Sequence, residues 1–212
     1  MPATRIQLVC FDLGGVLVRI CRRWQQSCQR IGMAIPAALA DQSIWQQRPD
    51  LFVGFEAGRF DEDEFFKLTG LALPTVGAAN MRRIYEAWLL GLYDGVDDLL
   101  AKLAARRITT ACLSNTNPTH WRQLDDPHGD YAPLQRLDHR WASHLLGEIK
   151  PNDGAFAHVE RQLNLSGEAI VFFDDDRDNV AAAERRGWRA VLVNPADPIP
   201  QVAAHLRECG LL

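Results

Sequence analysis

The chain has 212 residues, 47% hydrophobic and 24% charged, which suits one domain or one domain with a sizeable insert and supplies enough apolar side chains for a core. A net charge of −4 without a basic stripe argues against a dedicated nucleic-acid binder, and no apolar run approaches the roughly 18 residues that a membrane helix needs. Five scattered cysteines with no CxxC (Cys10, Cys21, Cys28, Cys112, Cys209) point to reduced thiols and a cytoplasmic protein.

In chain order, "IQLVCF" (6–11) is the first strand-like run, and it stops on Asp12, with Gly14 and Gly15 just beyond. Asp12 also interrupts the apolar stretch, so the N-terminus lacks the pattern of a secretory leader. Residues 18–90 are rich in tryptophan, phenylalanine and glutamine, with helical stretches such as "RRWQQSCQRIGM" and "NMRRIYEAWLLGL" and nothing that reads as a central strand. A helix is expected over 95–107, with Asp97 and Asp98 at its positive end and Arg106 and Arg107 at its negative end. The strand "ITTACLS" (108–114) ends on Ser114 and Asn115, and 124–141 reads as a long polar loop. A weaker strand (140–146) precedes Lys150, a helix is expected over 153–165, and "AIVFF" (169–173) ends on Asp174, Asp175 and Asp176. A helix over 178–187 closing on Gly187 and a strand over 189–193 complete the pattern.

Strand and helix alternating in this rhythm predict an α/β fold, a Rossmann-like parallel sheet with helices on both faces. The discontinuous core would take residues 1–16 and 92–212, and 17–91 would form an inserted α-helical cap over the strand ends, where such sheets bind ligands. Parallel neighbours would bring Asp12, Ser114, Lys150 and the aspartate run to one sheet edge. Clustered carboxylates in a partly dry site cost several kcal/mol per ion unless cations compensate. Lys150 is one candidate cation, and Mg²⁺, held by one or two carboxylates and a substrate phosphate, is the other. A carboxylate beside a metal and a lysine can attack phosphorus, while Ser114 and nearby N–H groups hold the phosphoryl oxygens. Each residue alone is an ordinary turn or helix-start residue; the argument rests on all four occurring in order.

That order resembles the haloacid dehalogenase-like (HAD) hydrolase superfamily: "FDLGGVL" is similar to its first motif, "LSNTN" to its second, "EIKPNDGAF" to its third and "VFFDDDRDNVAAAERRGW" to its fourth. Within it the pattern is most similar to small sugar-phosphate phosphatases with a DLGNV-type first motif and to the phosphatase domain of epoxide hydrolases. The resemblance implies that Asp12 is a nucleophile forming an aspartyl-phosphate. Mg²⁺ would be bound by Asp12, the Gly14 carbonyl and Asp175, with Asp174 a ligand through water or a supporting acid. Ser114 and Asn115 would bind the phosphoryl group and Lys150 would orient it; Asn179 would act behind the metal ligands at most, and Asp176 and Asp178 would be loop and helix-start acids. The partner would be a small phosphorylated metabolite, perhaps a sugar phosphate, and the protein a monomer or homodimer.

Most phosphatases of this superfamily carry an acid two residues after the nucleophile, to protonate the leaving group; here that residue is Gly14. Three ways around this stay open: a leaving group that needs little protonation, a proton from the cap or water, or a catalytically weak phosphate-binding regulatory module. A metal-independent 2-haloacid dehalogenase is a further alternative, since such enzymes also lack that acid. The doublet Asp174–Asp175 favours metal and phosphate over it, because extra carboxylates would repel a haloacid's own. Candidate pocket residues are Arg19, Arg22, Arg23, Trp24, Trp45 and Phe52, with His120 and Trp121 better placed just after the Ser114 loop; His128 and His139 lack a metal-ligand pattern.

Overall fold

The computed structural model describes residues 5–40, 44 and 47–212. Trp45 lies outside them. Five parallel strands form the main sheet: β1 (Leu8–Phe11), β4 (Thr109–Ser114), β5 (His139–Ala142), β6 (Ile170–Asp174) and β7 (Arg189–Leu192), in the spatial order β5-β4-β1-β6-β7. The first strand is central, so all four of its residues are buried, as expected of a parallel strand covered on both faces.

Strand alternation sorts the side chains between two apolar layers. Val9, Phe11, Cys112, Val171 and Phe173 share one face with Val96, Leu99 and Leu103 of the helix Val96–Ala105 and with Val202 and Leu206 of Pro198–Glu208. Leu8, Cys10, Ala111, Leu113 and Phe172 point the other way, onto Phe156 of the helix Asp153–Leu163 and Ala182 and Ala183 of Arg177–Arg185. The doubly covered α/β sheet expected from the sequence is therefore present. The helix Arg177–Arg185 stops where Gly187 takes a positive φ of 80°, as the sequence indicated.

A third apolar cluster belongs to the insert. Trp24, Phe52, Phe55, Phe65, Phe66 and Tyr85, from the helices Trp24–Arg30, Pro49–Glu56, Glu62–Ala72 and Ala78–Glu86, bury one another, with Phe55 and Phe65 stacked 3.9 Å apart. This explains the aromatic richness of the segment: short helices need large side chains to exclude water from a small core. The helix Glu62–Ala72 starts on Asp61, whose carboxylate accepts from Glu64 N at 2.8 Å.

As expected, the segment 18–90 supplies no strand of the main sheet; β2 (Val18–Ile20) pairs antiparallel with β3 (Leu89–Leu92), making a separate two-stranded ribbon where the chain leaves and re-enters the α/β layers. Two expectations need correction. The segment 124–141 is not a solvated loop, because Tyr131, Leu134 and Leu137 anchor it in the first apolar layer. The strand expected over 140–146 ends at Ala142 and continues as a helical turn, Ser143–Leu146. Among the described residues, no helix is long and apolar enough to cross a membrane.

Candidate active site

Register decides which side chains meet. Phe11 lies level with Cys112 of β4 and Phe173 of β6, so the next residue, Asp12, emerges beside the ends of both neighbours. Its N–H donates to the Phe173 carbonyl at 2.8 Å, which fixes the turn. Lys150 enters from the loop before Asp153–Leu163. Its ammonium lies 3.1 Å from Asp12 Oδ1 and 2.6 Å from Asp174 Oδ2, and it is only 2% exposed. The Asp12 contact is close but poorly aligned for a hydrogen bond, which leaves Asp12 Oδ1 buried without a hydrogen-bond donor.

Asp174 is fully buried and fully occupied. Besides Lys150, it accepts from Asp176 N at 2.8 Å and from Asn179 Nδ2 at 3.2 and 3.1 Å. Asp175 Oδ2 lies at 2.6 Å from Arg22 of the insert. Asp176 caps the helix Arg177–Arg185, accepting from Asp178 N and Asn179 N. One carboxylate oxygen from each of Asp12, Asp174 and Asp175 lies within 4.8 Å of the others. Three converging carboxylates and an undonated Asp12 oxygen form an oxygen-rich pocket that fits a hard divalent cation.

The neighbouring loops set this geometry. Asn115 accepts from Lys150 N and donates to Lys150 O, both at 2.8 Å, so its amide clamps the lysine loop, with its second amide hydrogen and its backbone N–H still available to a ligand. Ser114 is buried at the end of β4 and lines a cavity of about 110 Å³. Gly15 holds φ at 81°, and a β-carbon there would fall on Asp175 Oδ2 and Arg22, so glycine is required.

Charge follows from burial. Asp12 is pushed up to about 7 by desolvation and by Asp174 and Asp175, against the lowering effect of Lys150. Burial works to lower Lys150, but Asp12 and Asp174 together raise it well above its ordinary value, so it stays charged. Asp175 is raised by burial despite Arg22. A cation among these groups would favour their ionised forms.

The family model of the haloacid dehalogenase-like hydrolases matches residues 6–187. The chain belongs to the haloacid dehalogenase-like hydrolases. It is 24% identical over 188 residues to the sesquiterpene phosphatase astK of Aspergillus oryzae, covering 87% of this chain and 88% of that one. A HAD-like family hydrolase from Porphyromonas gingivalis superposes with a TM-score of 0.78 at 26% identity, covering 96% of this chain and 99% of the other. The HAD family enzyme BT-2542 of Bacteroides thetaiotaomicron, in complex with magnesium and inorganic phosphate, gives 0.76 at 21% identity, covering 93% and 98%.

In this HAD hydrolase the insert contributes fewer of the expected pocket residues. Trp24 and Phe52 are buried in the insert's own core, Arg23 precedes the helix Trp24–Arg30, and Arg22 sits on Asp175. Arg19 lies outside the cavity, beside Tyr93 and Asp94. His120 does line it, but as a neutral ring: Nε2 donates to the Tyr85 carbonyl at 2.8 Å, Nδ1 accepts from Asn117, and burial lowers its pKa to about 4. Trp121 packs against the first apolar layer instead. Sequence reasoning passed over Glu56, the last residue of Pro49–Glu56, whose side chain faces the cavity. No spacing distinguishes it from the other acids of the insert.

Proposed function

We propose that this HAD hydrolase is a Mg²⁺-dependent phosphatase that cleaves a small phosphomonoester through an aspartyl-phosphate on Asp12. The observation that carries the reading is Asp12 Oδ1, buried, undonated, and 3.1 Å from a lysine that Asp174 and Asn115 lock in place. Asp12 attacks phosphorus, and the Ser114 hydroxyl with the N–H groups after β4 holds the phosphoryl oxygens. Lys150 offsets the charge that develops there, a role positioned cations fill in phosphoryl transfer. Asp12, the Gly14 carbonyl and Asp175 would hold Mg²⁺. Asp174, saturated by Lys150, Asn179 and Asp176, acts as the supporting acid. When bound, the ion supplies charge neutralisation to the carboxylates and the phosphoryl group.

The core comprises 1–16 and 92–212, and 17–91 is a cap that chooses the leaving group. The cavity wall is largely apolar, with Leu13, Val18, Ile20, Trp88, Leu89 and Leu124. A sugar's hydroxyls would lose water there without recovering hydrogen bonds, so the lining favours an apolar alcohol over a sugar as the leaving group. The likeness to a sesquiterpene phosphatase supports the same choice.

The test is hydrolysis of p-nitrophenyl phosphate with Mg²⁺ and with chelator, in wild type and Asp12→Asn, followed by alkyl, prenyl and sugar phosphates. Activity that needs both Mg²⁺ and Asp12, and prefers alkyl or prenyl esters, is expected. Activity surviving Asp12→Asn, or halide release from 2-haloacids in chelator, overturns the reading.

A further inference from the structure

An alcohol leaves phosphorus poorly as an alkoxide, so a phosphatase needs a proton donor at the leaving oxygen. Gly14 cannot supply one. Among the described residues lining the cavity, three titrate: Glu56, Tyr85 and His120. Both ring nitrogens of His120 are engaged, by Tyr85 O and Asn117, and burial holds the Tyr85 phenol neutral. Glu56 is the remaining group, and its carboxyl takes no hydrogen bond from the described residues.

Its backbone is firmly placed. The Glu56 carbonyl accepts from Ser143 Oγ at 2.7 Å, and the same hydroxyl accepts from Thr116 N at 2.9 Å. Two residues on, Gly58 packs so tightly on the His144 carbonyl that a β-carbon would overlap it. The end of the helix Pro49–Glu56 is thus pinned above the loop that follows Ser114.

Building on the phosphatase reading, we propose that Glu56 is the proton donor to the leaving group, supplied by the insert in place of the acid absent at position 14. Asp12 forms its bond to phosphorus while the phosphorus–alkoxy bond breaks. The departing oxygen keeps that electron pair and takes the Glu56 proton, giving the free alcohol. Glu56, now a carboxylate, then accepts a proton from the water that attacks the aspartyl-phosphate. The Asp12–phosphorus bond breaks, inorganic phosphate leaves, and Glu56 is protonated again. Its environment suits the cycle: burial and the Asp12 charge raise it to about 7, with Lys150 opposing, while Tyr85 and His120 face it uncharged.

The experiment compares kcat/KM for p-nitrophenyl phosphate, whose nitrophenolate leaves unaided, with that for butyl phosphate, whose alkoxide does not. In kcat/KM, which ends at release of the alcohol and does not contain the dephosphorylation that Glu56 assists, Glu56→Gln should lose about 10²–10⁴-fold on butyl phosphate and far less on the nitrophenyl ester. Glu56→Asp, which keeps a shortened carboxyl, should fall between them on butyl phosphate. Equal losses on both esters, or no loss on butyl phosphate, overturns the assignment, with thermal melting confirming that each variant is folded. Wild type hydrolysing neither ester, or Asp12→Asn hydrolysing both, removes the phosphatase reading and the donor with it. Wild type active on both, with Glu56→Gln unaffected, removes Glu56 alone.

Discussion

Gly14 and Ile20 approach so closely that a β-carbon on Gly14 would lie 3.1 Å from Ile20 Cδ1. The position where related phosphatases carry an acid is therefore walled off by an apolar side chain from β2. An aspartate placed there must push the Ile20 Cδ1 methyl aside by a few tenths of an ångström and shed water against it. Gly14→Asp alone should lose about 1–3 kcal/mol of stability, the usual range for overpacking, without faster hydrolysis of alkyl phosphates. Combined with Ile20→Ala, which opens the space, the same aspartate should hydrolyse butyl phosphate faster than the single variant. Urea melts and initial rates check both; a Gly14→Asp protein with wild-type stability and improved turnover would contradict the steric account.

Lys150 bridges Asp12 and Asp174 in a nearly dry site. Replacing it with methionine preserves bulk but leaves two buried carboxylates facing one another. Breaking a buried pair in this way costs about 3–5 kcal/mol, and activity should vanish with it. The pH dependence has a definite sign. Asp12 is already raised to about 7 although Lys150 works to lower it, so without the lysine Asp12 would rise further. Acids raised in the folded state contribute most favourably when protonated, so the stability deficit of Lys150→Met should be largest near pH 8 and shrink as pH falls towards 5. A deficit independent of pH, measured by urea unfolding, would mean the lysine acts through packing alone.

Most of the candidate site could be read from the chain because each member sits at a strand end or a loop boundary that local patterns mark. Asp12 and Asp174 close apolar runs, and Lys150 precedes a helix. Parallel pairing then does the rest, since a register of Phe11 with Phe173 leaves Asp12 next to Asp174. The ribbon of β2 and β3 was hidden because β2 has only three residues and β3 continues the apolar pattern of the helix Ala78–Glu86 that precedes it. Tyr131, Leu134 and Leu137 were hidden because irregular segments anchor at uneven spacing. Asn115 was identified by position; that its amide also clamps the Lys150 backbone is something no sequence pattern specifies. Glu56 reaches the cavity through the docking of two separately packed layers, information carried by no single segment.

Arg22 and Asp175 form an ion pair at 2.6 Å, with the arginine side chain 49% exposed. The guanidinium takes an oxygen that Mg²⁺ would also need, so the two cations compete. The arginine end of the pair is solvated while Asp175 is only 12% exposed, so the pair is worth on the order of 1 kcal/mol, equivalent to about fivefold in an equilibrium constant. Arg22→Ala should therefore lower the Mg²⁺ concentration for half-maximal activity by up to about fivefold while leaving the maximal rate near wild type. Titration calorimetry with Mg²⁺ alone gives an independent reading. Weaker Mg²⁺ binding in the variant would show that Arg22 assists the metal site instead of opposing it.

His120 ties the two layers together: from the helix Pro118–Leu124 it stacks on Tyr85 at 4.7 Å and donates Nε2–H to the Tyr85 carbonyl. Nδ1 accepts from Asn117, so both nitrogens are satisfied only in the neutral ring. Burial lowers its pKa from 6.5 to about 4, with the Tyr85 hydrogen bond opposing. Between those values the unfolded chain binds the proton and the folded chain does not. Stability is thus complete above pH 6.5 and is lost progressively as pH falls towards 4, by an amount on the order of 3 kcal/mol. Glutamine keeps an N–H for the Tyr85 carbonyl but cannot titrate. His120→Gln should therefore be less stable than wild type at pH 7, through lost stacking, yet lose less of its stability between pH 6.5 and 4. Urea unfolding of both proteins across that range decides the matter, and parallel pH profiles would remove His120 as the acid-sensitive link between the insert and the sheet.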